Sequence, residues 1–164
     1  MELKIREITC SDNEQMAKIL RDSLEDFGLN IPGTAYFDES TDRLYQSFQG
    51  DKQVYFVAEL NGELVGGVGL YPTQGLSSDT VELVKMYVKS SCRGQGVGKK
   101  LMLECIAKAS DFGYEKIYLE TMPELSAAVS AYEKLGFVSL DKPLGDTGHF
   151  SCTIWMLRTL NLSE

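Results

Sequence analysis

The sequence has few of the residues that would mark a metal site or a disulfide framework. Its 164 residues include one histidine and four cysteines, Cys10, Cys92, Cys105 and Cys152, which show no paired spacing. We therefore expect no metal, because the usual zinc sites draw on closely spaced Cys and His ligands. The chain does not resemble a small disulfide-rich secreted protein, so we expect reduced thiols and a cytoplasmic location.

Long apolar runs and an excess of basic residues are also missing. No apolar stretch approaches the ~20 residues needed to span a bilayer, and the first seven residues, MELKIRE, lack the apolar core of a signal peptide. Sixteen basic and 24 acidic residues give a net charge of −8. This balance argues against a general nucleic-acid surface and mildly favours a cationic substrate. We expect neither a membrane nor a nucleic-acid partner.

The composition fits one domain over residues 1–164. Hydrophobic residues make up 43% and charged residues 24% of the chain, as in an ordinary globular protein. A chain of this length can bury a full core.

The most informative stretch is a predicted strand at residues 81–88, followed by a glycine-rich turn and a helix. The strand is rich in β-branched and aromatic residues. Apolar residues then recur at helical spacing: Leu101, Met102, Cys105, Ile106, Ala109 and Phe112. Gly94, Gly96 and Gly98 let backbone N–H groups approach a ligand, and the helix start adds unpaired N–H groups and its positive dipole end. This pattern predicts an anion site of the kind that binds phosphate.

Two common phosphate motifs do not match the spacing. A Walker loop needs glycine where Arg93 stands and serine or threonine where Lys100 stands. The dinucleotide fingerprint needs a glycine at the position of Lys99.

A third pattern does match. Arg93, Gly96 and Gly98 form an Arg-x-x-Gly-x-Gly sequence that resembles the acetyl-CoA-binding motif of the GNAT-type N-acetyltransferases. Residues 128–137, AVSAYEKLGF, resemble the second motif of that family, which ends in Tyr-x-Lys-x-Gly-Phe. Two motifs in the right order are far more specific than either alone. The resemblance covers residues 54–160 well and implies an acetyl-CoA-dependent N-acetyltransferase.

The predicted elements give an α/β fold with one mixed sheet. A strand at 4–8, two helices and a hairpin turning at Asn61-Gly62 precede the central strand. The elements predicted after the glycine-rich turn are the helix 97–112, the strand 116–122, the helix 126–135 and a last strand pair, 137–140 and 149–160. The resemblance implies a single-domain GNAT-like fold, with a mixed central sheet of about six to seven strands flanked by about four helices. In that fold the central strand and the strand at 116–122 splay apart to admit the cofactor.

The resemblance also implies where the cofactor lies. Met86 and Val88 match positions whose backbone pairs with the pantetheine arm, and the N–H groups of the turn would hold the pyrophosphate. The predicted cofactor-binding residues are Met86, Tyr87, Val88, Arg93, Gly94, Gln95, Gly96, Val97, Gly98 and Lys99. One departure stands out, because many members carry an asparagine where this chain has Leu125.

Acetyl transfer to an amine needs a proton acceptor for the amine and a proton donor for the thiolate. Glu82 lies eleven residues before Arg93, a position that carries the general base in some GNAT members. Tyr132, the tyrosine of the second motif, would protonate the departing thiolate. Glu82 could instead be an acid that selects a cationic amine or merely stays solvated, and Tyr132 a hydrogen-bonded helix aromatic. We expect no covalent nucleophile, because a free amine attacks a thioester directly.

Three residues are candidate acceptor contacts. In GNAT-like proteins the link between the first two helices borders the acceptor site, which points to Tyr36 and Phe37. His149 falls in the final hairpin, which can wall the same pocket. Each could instead be a packed aromatic or a turn histidine. The acceptor, a small-molecule or peptide amine, is not defined by the sequence, and a homodimer is expected only from the family.

Two other functions remain open. A non-catalytic acyl-CoA-binding module would keep the glycine-rich turn, and the presence of both Glu82 and Tyr132 argues against it. An S-adenosylmethionine methyltransferase would use the glycines with Glu120 as the strand-end acid. It is disfavoured because residues 89–93 separate strand from glycines and too few βα units follow.

Overall fold

The computed structural model describes residues 2–160, which form one sheet with helices packed on it. The strands are β1 (Leu3–Glu7), β2 (Val54–Leu60), β3 (Glu63–Tyr71), β4 (Thr80–Val88), β5 (Lys116–Thr121), β6 (Val138–Leu140) and β7 (Ile154–Thr159). The helices are α1 (Asn13–Asp26), α2 (Leu44–Ser47), α3 (Val97–Asp111) and α4 (Ser126–Lys134). The strand order is β1-β2-β3-β4-β5-β7-β6. A mixed sheet of seven strands with four helices confirms the predicted architecture. The domain prediction also includes residue 1 and residues 161–164, which lie outside the described part.

The sheet opens in its middle. Every neighbouring pair of strands is antiparallel except β4 and β5, which are parallel. These two strands pair only from Thr80 to Glu82 on β4 and from Lys116 to Tyr118 on β5. Beyond Glu82 the edge of β4 that faces β5 therefore has no strand partner among residues 2–160, and the predicted splay is confirmed.

A bulge bends β4 just past this point. Lys85 takes a left-handed backbone conformation with φ of 51°, and the register between β3 and β4 shifts opposite it. A non-glycine residue pays about 1–2 kcal/mol for this conformation. Two contacts offset it, because the Tyr55 hydroxyl donates to the Lys85 carbonyl at 2.8 Å and the Lys85 ammonium binds Asp38 at 2.9 Å.

Glycines in β3 make room for Tyr55. A Cβ on Gly67 would lie 2.6 Å from the Tyr55 ring, and one on Gly69 would lie 2.8 Å from it. Real side chains do not approach so closely, so any larger residue would displace the ring. These glycines therefore serve close packing against the Tyr55 ring.

The helices cover the sheet with the apolar faces that the spacing predicts. On α3 the fully buried residues are Val97, Leu101, Met102, Cys105 and Ala109. Ile106 and Phe112 are only partly buried at its edge. No helix in residues 2–160 has the length and apolar character needed to cross a membrane.

Two predicted elements are shorter than expected. The last strand begins at Ile154 and not at residue 149, because residues 149–153 leave the sheet. The Cys152 N–H donates to the His149 carbonyl at 3.0 Å, and the Ser151 hydroxyl donates to the Pro32 carbonyl at 2.7 Å. The second helix, α2, has only four residues, and a 3₁₀ turn over Glu39–Arg43 precedes it.

Candidate active site

A cavity of about 450 Å³ fills the opening between β4 and β5. We call one end of it the glycine end, formed by the turn at residues 93–96 and the first residues of α3. We call the other the acidic end, lined by Glu82, Glu120, His149 and Cys152. Glu82 lies six residues before Val88 on β4, so the two ends are roughly 20 Å apart along an extended strand.

Backbone groups build the glycine end. Gly94 and Gly96 have φ angles of 78° and 83°, which favour glycine, and a Cβ at either would meet nothing within 4 Å. Gly96 is the N-cap of α3. The first N–H groups of a helix have no partner inside it, and the first residues of this fifteen-residue helix line the cavity, which brings its positive dipole end there. These features are typical of a site that binds an anion such as phosphate.

The charged side chains near the turn differ in where they point. Arg93 lines the cavity, with its Nε 3.2 Å from the Val88 carbonyl and its guanidinium 5.1 Å from the centre of the Phe27 ring. Lys99 also lines the cavity. Lys100 turns away, and its ammonium donates to the Leu3 carbonyl at 3.1 Å.

Most of the predicted cofactor-binding residues lie together in the wall of the cavity. The residues that line the cavity are Met86, Tyr87, Val88, Arg93, Gly94, Gly96, Val97, Gly98 and Lys99. Gln95 does not line it, and its side-chain amide instead lies 3.3 Å from the Ser91 carbonyl. Leu125 and the following Ser126 border the cavity as well.

Glu82 is the buried carboxyl at the acidic end. Its side chain accepts a hydrogen bond from the Thr73 hydroxyl, and only 4% of the residue is exposed. Burial raises the pKa of Glu82 to about 7, against the Thr73 hydrogen bond, and the charge of Glu120 adds to the rise. Near neutral pH this carboxyl is therefore divided between its two protonation states, as an efficient proton acceptor should be.

Tyr132 contributes a neutral phenol to the same cavity. It lies on α4, is buried, and packs edge-on against Phe137 with the ring centres 5.7 Å apart. Burial raises the pKa of Tyr132 well above its usual range. The phenol therefore keeps its proton at neutral pH and is available as a donor.

Asp38 joins Lys85 and His149 beside the acidic end. Its Oδ2 lies 2.9 Å from the Lys85 ammonium and 2.7 Å from His149 Nε2. Burial alone would raise the pKa of Asp38, but the His149 hydrogen bond and the Lys85 charge outweigh it and lower that pKa to about 2. His149 thus stands in the cavity wall, held by a carboxylate.

Sequence reasoning missed several members of the acidic end. Glu120 accepts hydrogen bonds from the Tyr118 hydroxyl at 2.6 Å and the Thr147 hydroxyl at 2.5 Å. The Glu120 carboxylate, a ring nitrogen of His149 and the Cys152 sulfur all lie within 4.8 Å of one another. Alternation along β5 places Glu120 and Tyr118 on one face, which was the only available signal. Nothing in the spacing links them to Cys152.

Tyr36 and Phe37 do not line the cavity. The 3₁₀ turn Ala35–Phe37 places Ala35 in the cavity wall, whereas Tyr36 is half-buried against a hydrophobic cluster outside it and Phe37 is exposed. The Tyr36 hydroxyl binds Glu25 at 3.2 Å, and Phe37 is 60% exposed. The geometry therefore does not support them as acceptor contacts, and Thr34 and Ala35 occupy that part of the wall.

Comparison with known proteins adds two kinds of finding. The family model for the acetyltransferase (GNAT) family matches residues 14–137. An uncharacterized N-acetyltransferase of Escherichia coli (strain K12), YjgM, is 40% identical over 157 residues, which cover 95% of this chain and 94% of that protein.

Solved structures share the fold at low identity. An acetyltransferase of the GNAT family from Staphylococcus aureus Mu50 superposes with a TM-score of 0.83 at 21% identity, covering 98% of this chain and 100% of the other. The PaiA N-acetyltransferase from Thermoplasma acidophilum, in complex with coenzyme A, gives a TM-score of 0.73 at 22% identity and covers 97% and 99%.

Proposed function

The chain belongs to the GNAT family of N-acetyltransferases, and we propose that it transfers the acetyl group of acetyl-CoA to a primary amine by direct attack. The observation that carries this proposal is the cavity between β4 and β5. It joins the glycine end, with its backbone N–H groups, to the buried Glu82 carboxyl on β4. The thioester would lie between them.

The proposed place of acetyl-CoA follows from the two kinds of wall. The pyrophosphate would bind the N–H groups of Gly96, Gly98 and Lys99, with Arg93 beside it. The pantetheine arm would extend along the edge of β4 that has no strand partner beyond Glu82. Backbone pairing with Met86 and Val88 would then act like an added strand and hold the arm straight. A related structure contains coenzyme A, which supports the same cofactor here.

Glu82 is the proposed base. The incoming ammonium loses a proton to the Glu82 carboxylate, directly or through a water, and the neutral nitrogen attacks the thioester carbon. A C–N bond forms, and the carbonyl oxygen takes up negative charge, which the Met86 N–H would stabilise. The pKa of Glu82, raised by burial to about 7, supports this role, because a carboxyl with an ordinary pKa would be a weaker base.

Tyr132 is the proposed acid. When the tetrahedral intermediate collapses, the C–S bond breaks and the thiolate of CoA takes the phenolic proton. The new amide nitrogen loses its second proton, which returns to the phenolate of Tyr132 directly or through a water. The proton that Glu82 has accepted passes to solvent, so the enzyme returns to its starting state. Holding both substrates in one cavity supplies much of the rate gain. No step uses a metal.

The acceptor is proposed as a small-molecule or peptide amine that enters at the acidic end, where His149 forms part of the wall. Glu82 and Glu120 favour a cationic amine at this end. A cytoplasmic location, one domain over residues 1–164, a possible homodimer and the absence of nucleic-acid or membrane partners remain predictions.

Calorimetric titration with acetyl-CoA tests the cofactor first, with S-adenosylmethionine and NAD as controls. We expect acetyl-CoA alone to bind, and a panel of primary amines then to release free thiol from it. Binding of S-adenosylmethionine instead would revive the methyltransferase alternative. Acetyl-CoA binding without thiol release on any amine would favour a non-catalytic module, and binding of neither acetyl-CoA nor CoA would refute the proposal.

A further inference from the structure

Three potential metal ligands of different chemistry meet at the acidic end. Glu120 comes from the end of β5, and His149 and Cys152 come from the segment before β7. The turn that joins the Cys152 N–H to the His149 carbonyl brings the last two to one side of that segment. One ligand atom from each of the three residues lies within 4.8 Å of the other two.

The distances between these ligand atoms are close to those between the ligands of a bound zinc ion. Metal–ligand distances of about 2.0–2.3 Å put the ligands of a tetrahedral site roughly 3.5 Å apart. Side-chain adjustments of about 1 Å would therefore close the three ligands around one ion. All three residues line the cavity, so the fourth position would face open space.

Hydrogen bonds from neighbouring residues orient the ligands. Asp38 holds His149 through Nε2 at 2.7 Å, so a bound metal would take the other ring nitrogen, Nδ1. This is the carboxylate–histidine arrangement that supports many metal sites. The Tyr118 and Thr147 hydroxyls hold the Glu120 carboxylate in the same way. The Cys152 thiol is more than nine-tenths buried in this wall.

We propose that Glu120, His149 and Cys152 form a site for a zinc-like divalent cation at the acidic end of the cavity. Sulfur and imidazole ligands select zinc over magnesium or calcium, which prefer oxygen. On binding, the Cys152 thiol releases its proton to solvent and a metal–sulfur bond forms. No oxidation or reduction takes place.

The ion would occupy the place of the acceptor amine, so we assign it an inhibitory role. This assignment rests on the proposed function, whereas metal binding itself does not. Zinc should therefore raise the apparent KM for the amine and leave the affinity for acetyl-CoA unchanged.

The site is tested by binding alone, with no acetyl-CoA present. The full-length protein, reduced and freed of metal by chelation, competes for Zn²⁺ with a chromogenic chelator. We expect one ion per chain, and an affinity at least 10-fold weaker in Cys152→Ser and in His149→Ala. Asp38→Asn should weaken it about 10-fold through the ring orientation. The matched control is Cys92→Ser, which removes a thiol at the glycine end of the same cavity and should bind as tightly as the native chain.

Several results would overturn the proposal. One is that the native protein takes up no zinc. Another is that Cys152→Ser and Cys92→Ser weaken zinc binding equally, which would indicate adventitious thiol binding. Replacement of zinc by cobalt gives a second readout. The thiolate-to-cobalt absorption band should be present in the native protein and absent in Cys152→Ser. If Cys152→Ser does not fold, zinc binding by His149→Ala decides the question, because His149 is only half-buried. Tight binding without competition against the amine would overturn the inhibitory role.

Discussion

The glycine end and the acidic end of the cavity are built in different ways. The glycine end uses backbone N–H groups from one continuous stretch of chain, residues 93–99. The acidic end uses side chains from segments far apart in sequence, among them Asp38, Glu82, Glu120 and His149. A phosphate needs only N–H groups held in place, whereas proton transfer from an amine needs a carboxyl group whose pKa lies near the working pH. The difference implies that changes at the glycine end should alter cofactor affinity, and changes at the acidic end should alter the rate.

Glu82→Gln should have the largest effect. Without a base, kcat is expected to fall by about 10²- to 10⁴-fold, while calorimetry finds the acetyl-CoA affinity unchanged. In the native enzyme kcat/KM should rise with pH until Glu82 loses its proton near pH 7, and the variant should lack this rise. Glu104→Gln, on the exposed face of α3, is the control. A variant with native turnover and pH profile would place the base elsewhere.

Tyr132→Phe should come next. The ring is kept and only the hydroxyl is lost, so we expect kcat to fall about 10- to 100-fold with unchanged binding of acetyl-CoA. A leaving group that needs no proton, such as an acidic aryl thiol ester of acetate, should lessen the defect. Tyr45→Phe, on α2 away from the cavity, serves as the control. Unchanged turnover on acetyl-CoA would contradict the role as acid.

Glu82→Gln should also stabilise the protein at high pH. Because burial raises the Glu82 pKa from 4.5 to about 7, the folded chain binds this proton more tightly than the unfolded chain does. As pH rises from about 4.5 to 7, the unfolded carboxyl ionises first and native stability falls. The unfolding free energy of the variant minus that of the native chain should increase by about 2 kcal/mol from pH 5 to pH 8. Urea titration at the two pH values measures this change. An equal difference at both pH values would contradict the shifted pKa.

Gly96→Ala should have the smallest effect, and its matched control is Gly62→Ala. The two glycines have φ angles of 83° and 84°, and a Cβ at either meets nothing within 4 Å. Both substitutions should cost about 1 kcal/mol in stability. Only Gly96→Ala should also weaken acetyl-CoA binding, about 10-fold in calorimetry, because it moves N–H groups at the start of α3. Equal affinities in both variants would mean that the turn does not bind the cofactor.

Much of the fold could be predicted from local pattern. The Asn61-Gly62 turn predicted the hairpin of β2 and β3, and the helical spacing after Gly98 predicted the buried face of α3. The last strand was placed too early, at residue 149. The segment before Ile154 lies outside the sheet, where the Ser151 hydroxyl donates to the Pro32 carbonyl. This contact joins segments distant in sequence, so no local pattern contains it.

The amino-acid sequence by itself determined the glycine end, since φ angles and helix N-termini depend on residues a few positions apart. It also singled out Glu82 and Tyr132 through the family resemblance. Only the tertiary structure decided the environment that shifts the Glu82 pKa, the placement of Tyr36 and Phe37 outside the cavity wall, and the meeting of Glu120, His149 and Cys152. Burial and charge contacts act across space between residues that lie tens of positions apart, so their effects exist only once the chain has folded.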